Sequence, residues 1–103
     1  MTLEDLIHEC HKTSAEHGWW LEPRNKGEAI ALMHSELSEM LEGVRKPAKD
    51  EHCPMFSSEE IELADLIIRA FDYAEGFNLR LEYALEAKMA FNKTRPHKHG
   101  KAF

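Results

Sequence analysis

Residues 57–76 read SSEEIELADLIIRAFDYAEG, and the fold turns on how they coil. Ser57 and Glu60 make a capping box, so a helix begins here, and Gly76 breaks it. At about 100° per residue, Glu62, Asp65, Arg69 and Asp72 occupy an arc of only about 80°. Ile61 and Ile68 flank that arc on one side, Leu66 and Tyr73 on the other. Leu63, Ala64, Ile67, Ala70, Phe71 and Ala74 fill the remainder, with Glu75 as a late exception. A surface helix carries a wide polar face and a narrower apolar stripe. Here the proportions are reversed. The pattern predicts a helix buried on most sides, with its charged arc turned into an internal cleft.

Three further helical segments stand out. Thr2 and Asp5 form a capping box ahead of the stripe Leu3, Leu6, Ile7, Cys10 and Ser14, which Gly18 stops. WWLEPRNKG (19–27) is a loop broken by Pro23, and Asn25 caps a second helix. Its stripe is Ile30, Met33, Leu37, Met40, Leu41 and Val44, and it runs to about Val44. The polar connection RKPAKDEHCPMFSS (45–58) contains two prolines. After Gly76 and Asn78 a fourth helix spans roughly Leu79 to Thr94. Strand-like alternation, repeats and low-complexity segments are all absent. The expectation is a single all-α domain over residues 1–103, most simply a four-helix bundle, with a basic tail from about residue 96.

Composition narrows the function classes. With 103 residues and 43% hydrophobic content, one globular domain is expected. No apolar run approaches the roughly 18 residues of a membrane span. MTLEDLIHECHK (1–12) mixes charges into its apolar positions, unlike a signal peptide. Two cysteines, Cys10 and Cys53, are too few for a disulfide framework and suit reduced thiols in the cytoplasm. A formal charge of −6 argues against a binder of duplex nucleic acid. Yet KMAFNKTRPHKHGKAF (88–103) is strongly basic, which suggests an anionic ligand held by cations at one place.

The acidic residues carry the chemistry. ELSE (36–39) and ELAD (62–65) each set two carboxylates three residues apart on one helix face. A solvated surface, with Asp65 and Arg69 as an i,i+4 pair, is the plain explanation for one such motif. Two of them, one on a mostly apolar helix, point elsewhere. Glu36, Glu39, Glu62 and Asp65 clustered in low dielectric either hold protons or bind a hard cation. An oxygen-only donor set suits Mg²⁺, or Mn²⁺ in its place, better than Zn²⁺. A ferritin-like di-iron centre needs Glu-x-x-His motifs, and this chain has none.

On the fourth helix, Leu81, Leu85, Lys88, Asn92 and Arg95 share a face that turns from apolar to cationic. Cations at a helix C-terminus neutralise its dipole. Beside a metal cluster they also suit a polyphosphate, Lys as a point charge and Arg as a bidentate fork. Of the adjacent tryptophans, one is expected to anchor the core and the other to expose a ring that stacks a nucleobase, with Trp20 favoured for stacking. His11 either lines the same pocket or is an ordinary half-buried histidine.

These residues together resemble the MazG-like all-α nucleoside triphosphate pyrophosphatases, in particular the dCTP-pyrophosphatase-type branch. The resemblance rests on ExxE followed by ExxD, on PRN (23–25), and on KMAFNKTR (88–95), and covers about residues 11–96. It implies a MazG-like bundle completed by oligomerisation, as a homodimer or a dimer-of-dimers tetramer. It implies Mg²⁺-dependent cleavage of an NTP or dNTP to the monophosphate and pyrophosphate, as nucleotide-pool housekeeping. Glu36, Glu39, Glu62 and Asp65 become the metal ligands, with Glu36 or Glu39 accepting the proton of the attacking water. Lys88, Asn92 and Arg95 become phosphate and sugar contacts, and Trp20 and His11 fall near the branch's base-site positions. The chain departs from that branch in a shorter loop between Trp20 and Pro23, and in Arg69, where the branch favours an aromatic. The competing expectation is a non-enzymatic helical module whose acidic stripe binds a basic partner helix.

Overall fold

The computed structural model describes residues 1–103 and is all-helical. Helix α1 spans Leu3–Glu16, α2 Lys26–Arg45, α3 Ser58–Gly76 and α4 Leu81–Lys93, followed by a short 3-10 turn at His97–Gly100. No helix is long and apolar enough to cross a membrane. The first three begin where their sequence signals lie. The Thr2 side chain accepts from the Asp5 N–H while Asp5 accepts from the Thr2 N–H. Asn25 Oδ1 accepts from the Glu28 N–H. Ser57 and Glu60 reproduce the reciprocal pattern at the start of α3. Such caps satisfy backbone donors that a helix start otherwise leaves orphaned. The long connection after α2 is pinned by Asp50, which accepts from the His52 and Cys53 amides, and by an isolated antiparallel bridge between Lys49 and Ser57.

Helix α3 is central, packed against α1 and against α2. Helix α4 makes only sparse contact with the others and contains no buried residue. Within one chain the fourth member of the expected bundle therefore stands off. The burial expected for α3 is also incomplete: Leu63, Ile67 and Ile68 are exposed. The reason is geometric, since two neighbouring helices cannot cover a helix that is apolar around most of its circumference.

The core is correspondingly thin. Ile7, Ala29 and Ala74 are the only buried apolar residues, and no large side chain is fully enclosed. Ile30, Leu37, Leu41 and Val44 of α2, and Met89 and Phe91 of α4, are exposed. The accessible surface is 8202 Å², whereas a folded monomer of this mass exposes about 6,000 Å². The radius of gyration is 16.0 Å, against about 13 Å for a close-packed domain of this length.

Candidate functional site

The two buried charged residues are both acids, Glu36 on α2 and Asp72 on α3, and each organises one part of a cleft between the helices. At the first, one carboxylate oxygen from each of Glu36, Glu62 and Asp65 lies within 4.8 Å of the others. The helix periodicity of ELAD sets Glu62 and Asp65 on one face, and the packing of α2 on α3 brings Glu36 to them. Glu39, the fourth expected ligand, is exposed and lies outside this close set, near enough for its charge to act on Glu62.

One cation serves the cluster. Arg69 Nε donates to Glu36 Oε1 at 2.9 Å. The i,i+4 partnership of Arg69 with Asp65 does not form; the guanidinium crosses to α2 instead. Glu36 Oε2 and Glu62 Oε2 are buried without any hydrogen-bond partner. Ionisation follows these contacts. Burial pushes the Glu62 carboxyl up to about 8, helped by the close approach and the negative charge of Glu36 and Glu39. Burial also raises Asp65, with Glu36 adding repulsion. Burial opposes the charge of Glu36 as well, but there the Arg69 hydrogen bond and the neighbouring Glu62 carboxyl prevail and hold its carboxyl below the usual range. Without a cation, the arrangement is therefore an ionised Glu36 beside a protonated Glu62.

At the second centre, Asp72 is saturated with donors. Trp20 Nε1 donates to Oδ1 at 2.8 Å and an Arg24 terminal nitrogen to Oδ2 at 3.3 Å. His11 Nδ1 lies 2.9 Å from Oδ1, and with a carboxylate as partner this nitrogen is the one carrying the proton. The Trp20 ring meets His11 and Phe77 edge-on, each with centroids 5.1 Å apart. It also occupies the space that a side chain at Gly76 would need. Trp20 is thus the inner anchor, and the exposed ring is Trp19, reversing the order favoured from sequence. The exchange follows from Asp72, which captures the Trp20 N–H and leaves Trp19 52% exposed.

Between the two centres lies a cleft of about 560 Å³ whose walls include Glu36, Asp65, Arg69, Asp72, Arg24 and Trp19. The Arg24 and Arg69 guanidinium carbons stand 5.5 and 6.0 Å from the centre of the Trp19 ring. His11 and Trp20 support this wall from behind Asp72 without lining the cleft. Lys88, Asn92 and Arg95 are not brought to it. Lys88 Nζ and, from just beyond the end of α4, Arg95 Cζ instead lie 4.9 and 5.5 Å from the Phe91 ring of that helix.

Sequence reasoning placed Asp72 on the charged arc and gave it no role; its spacing seven after Asp65 was the available signal. Arg24 has a place in the PRN motif but no individual role from sequence, and nothing local distinguishes Trp19 from Trp20. A donor set of three oxygens with two orphaned buried atoms fits a hard divalent cation and no soft one. In comparisons with family models, curated proteins and solved structures, the chain matches none.

Proposed function

We propose that this chain is a MazG-like pyrophosphatase that hydrolyses a nucleoside or deoxynucleoside triphosphate to the monophosphate and pyrophosphate. The observation that carries the reading is the under-satisfied carboxylate cluster: three acids from two helices, with two buried oxygens unpartnered. Buried carboxylates without donors are costly unless something positive completes them. Glu36, Glu62 and Asp65 would hold Mg²⁺, with Glu39 at the rim. When bound, the metal supplies charge neutralisation for a polyphosphate and raises the acidity of a nearby water. Glu62 must release its proton for the set to act as ligands. Glu39, the one carboxylate of the two motifs that is exposed, receives the proton of the attacking water on a carboxylate oxygen. Trp19 offers an open ring for the base, while Arg24, tied to Asp72, fixes the wall behind it.

Lys88, Asn92 and Arg95 fit the phosphate-binding role if they serve the cleft of a second copy, since α4 stands away from its own. The surface in excess of a monomer of this mass is about 2,000 Å², the size of an obligate dimer interface. The free thiols of Cys10 and Cys53 suit a reducing, cytoplasmic setting. A panel of ribo- and deoxyribonucleoside triphosphates incubated with Mg²⁺ tests the reading: pyrophosphate and monophosphate should appear together from at least one of them. No pyrophosphate from any member of the panel overturns it and favours a partner-binding acidic stripe.

A further inference from the structure

Arg69 stands between two kinds of partner. Its Nε holds Glu36, while its two terminal nitrogens make no hydrogen bond and 31% of the side chain remains open, on the wall of the cleft beside Trp19. Glu36 keeps only 8% of its side-chain exposure, and its second oxygen, Oε2, has no partner. One monovalent fork, engaged through a single N–H, is thus the sole positive charge paired within a set of three carboxylates. The other guanidinium of the cleft, Arg24, is committed to Asp72 on the opposite centre.

We propose that Arg69 is an exchangeable counter-ion: it holds Glu36 while no divalent cation is present, and transfers to the phosphate oxygens of a polyphosphate in the cleft once a cation takes Glu36 over. The proposal rests on the reading of the cluster as a Mg²⁺ site and adds a role for a residue outside it. Three steps lead there. An ionised carboxylate this deeply buried needs a positive partner, and Arg69 supplies it. A divalent ion among the three carboxylates brings more charge to the same oxygens, and it repels the guanidinium. The released fork then faces a cleft in which phosphate presents the paired oxygens that a guanidinium matches best. Arg69 therefore taxes metal binding by the empty protein and repays it when the anion arrives, so the cleft favours the cation and the polyphosphate together over the cation alone.

Two measurements decide this, neither of which depends on turnover. In the first, Mn²⁺ binding to the free protein is followed by electron paramagnetic resonance in wild type and Arg69→Gln. The variant should bind Mn²⁺ on the order of tenfold more tightly, because a competing positive charge has gone. It should bind inorganic tripolyphosphate about tenfold more weakly at saturating Mg²⁺, because a charge-assisted contact has gone. The second uses wild type alone, in case the variant does not fold. The Arg69 Nε–H resonance, observed in EDTA, should move when Mg²⁺ saturates the protein and move again on adding tripolyphosphate. Mn²⁺ affinity in Arg69→Gln no tighter than wild type, or an Arg69 resonance that ignores Mg²⁺, overturns the exchange and makes Arg69 a fixed strut for Glu36. Either result leaves the hydrolase reading standing. Absence of Mn²⁺ binding in both proteins removes the metal site, and the exchange with it.

Discussion

Asp72 and the Glu36–Glu62–Asp65 cluster lie on the same cleft and are built in opposite ways. Asp72 collects donors from Trp20, His11 and Arg24, drawn from α1 and the loop that follows it. The cluster has three carboxylates and one donor, Arg69. A buried acid that is fully hydrogen-bonded holds structure together; buried acids left short of partners store unfavourable energy that a ligand can release. Burial alone does not mark a functional carboxylate. The balance of donors to acceptors does.

The sharpest way to break this contrast is Glu62→Gln, which preserves shape and removes an ionisable oxygen from the proposed metal set. Turnover should vanish while the helical content and cooperative melt persist. Retention of more than about a tenth of wild-type activity would remove Glu62 from the metal set. Asp72→Ala should do the reverse and damage the fold first. It strands the Arg24 charge and the Trp20 N–H, a loss of about 3 kcal/mol, readable as a lowered urea midpoint. A midpoint equal to wild type would mean that the three donors find water without cost.

Asp65→Asn sharpens the contrast through its sign. Asp65 is raised by burial and by repulsion from Glu36, so removing its charge should raise the melting temperature in EDTA. Mg²⁺ should reverse the order, since wild type alone gains the full binding linkage, about 2.7 kcal/mol at a hundredfold excess over Kd. A variant less stable than wild type in EDTA, with wild type indifferent to Mg²⁺, would make these acids ordinary surface.

The smallest effect is a pH dependence. Because the folded chain holds the Glu62 proton up to about 8 and the unfolded chain releases it near the ordinary 4.5, the folded state binds more protons within that window. Metal-free stability should therefore fall as pH rises from about 5 to about 8, then level off. The depressed Glu36 works the other way, but its stabilisation is already complete once the pH is above the ordinary carboxylate range. The quantity to follow is the melting temperature of wild type minus that of Glu62→Gln in EDTA, which isolates this one group. That quantity should fall as pH rises from about 5 to about 8, wild type dropping relative to the variant; a constant difference would show that Glu62 carries no shifted proton.

What the sequence made legible follows the range of the forces involved. Helix starts at Thr2, Asn25 and Ser57 depend on contacts three residues away and were readable. The pairing of Glu62 with Asp65 was readable for the same reason, as a helix period. The partner of Arg69 was not, because the choice between Asp65 and Glu36 depends on where α2 packs. The roles of Trp19 and Trp20 were inverted because a single donor–acceptor match with distant Asp72 decided them. The position of α4 was least legible of all. Its apolar and cationic face is evident in sequence, but nothing local says whether that face serves its own chain.

The division of labour between the adjacent indoles also makes the molecule optically informative. Trp19 and Trp20 are its only two tryptophans. Trp20, hydrogen-bonded to Asp72 and packed between His11 and Phe77, is the more enclosed of the two. Trp19, half exposed between two guanidiniums, meets solvent at the mouth of the cleft. Emission from the inner ring should lie to the blue and follow unfolding, while emission from the outer ring should lie to the red and follow whatever enters beside it. Unlabelled protein should thus report integrity and occupancy at separate wavelengths, one residue apart.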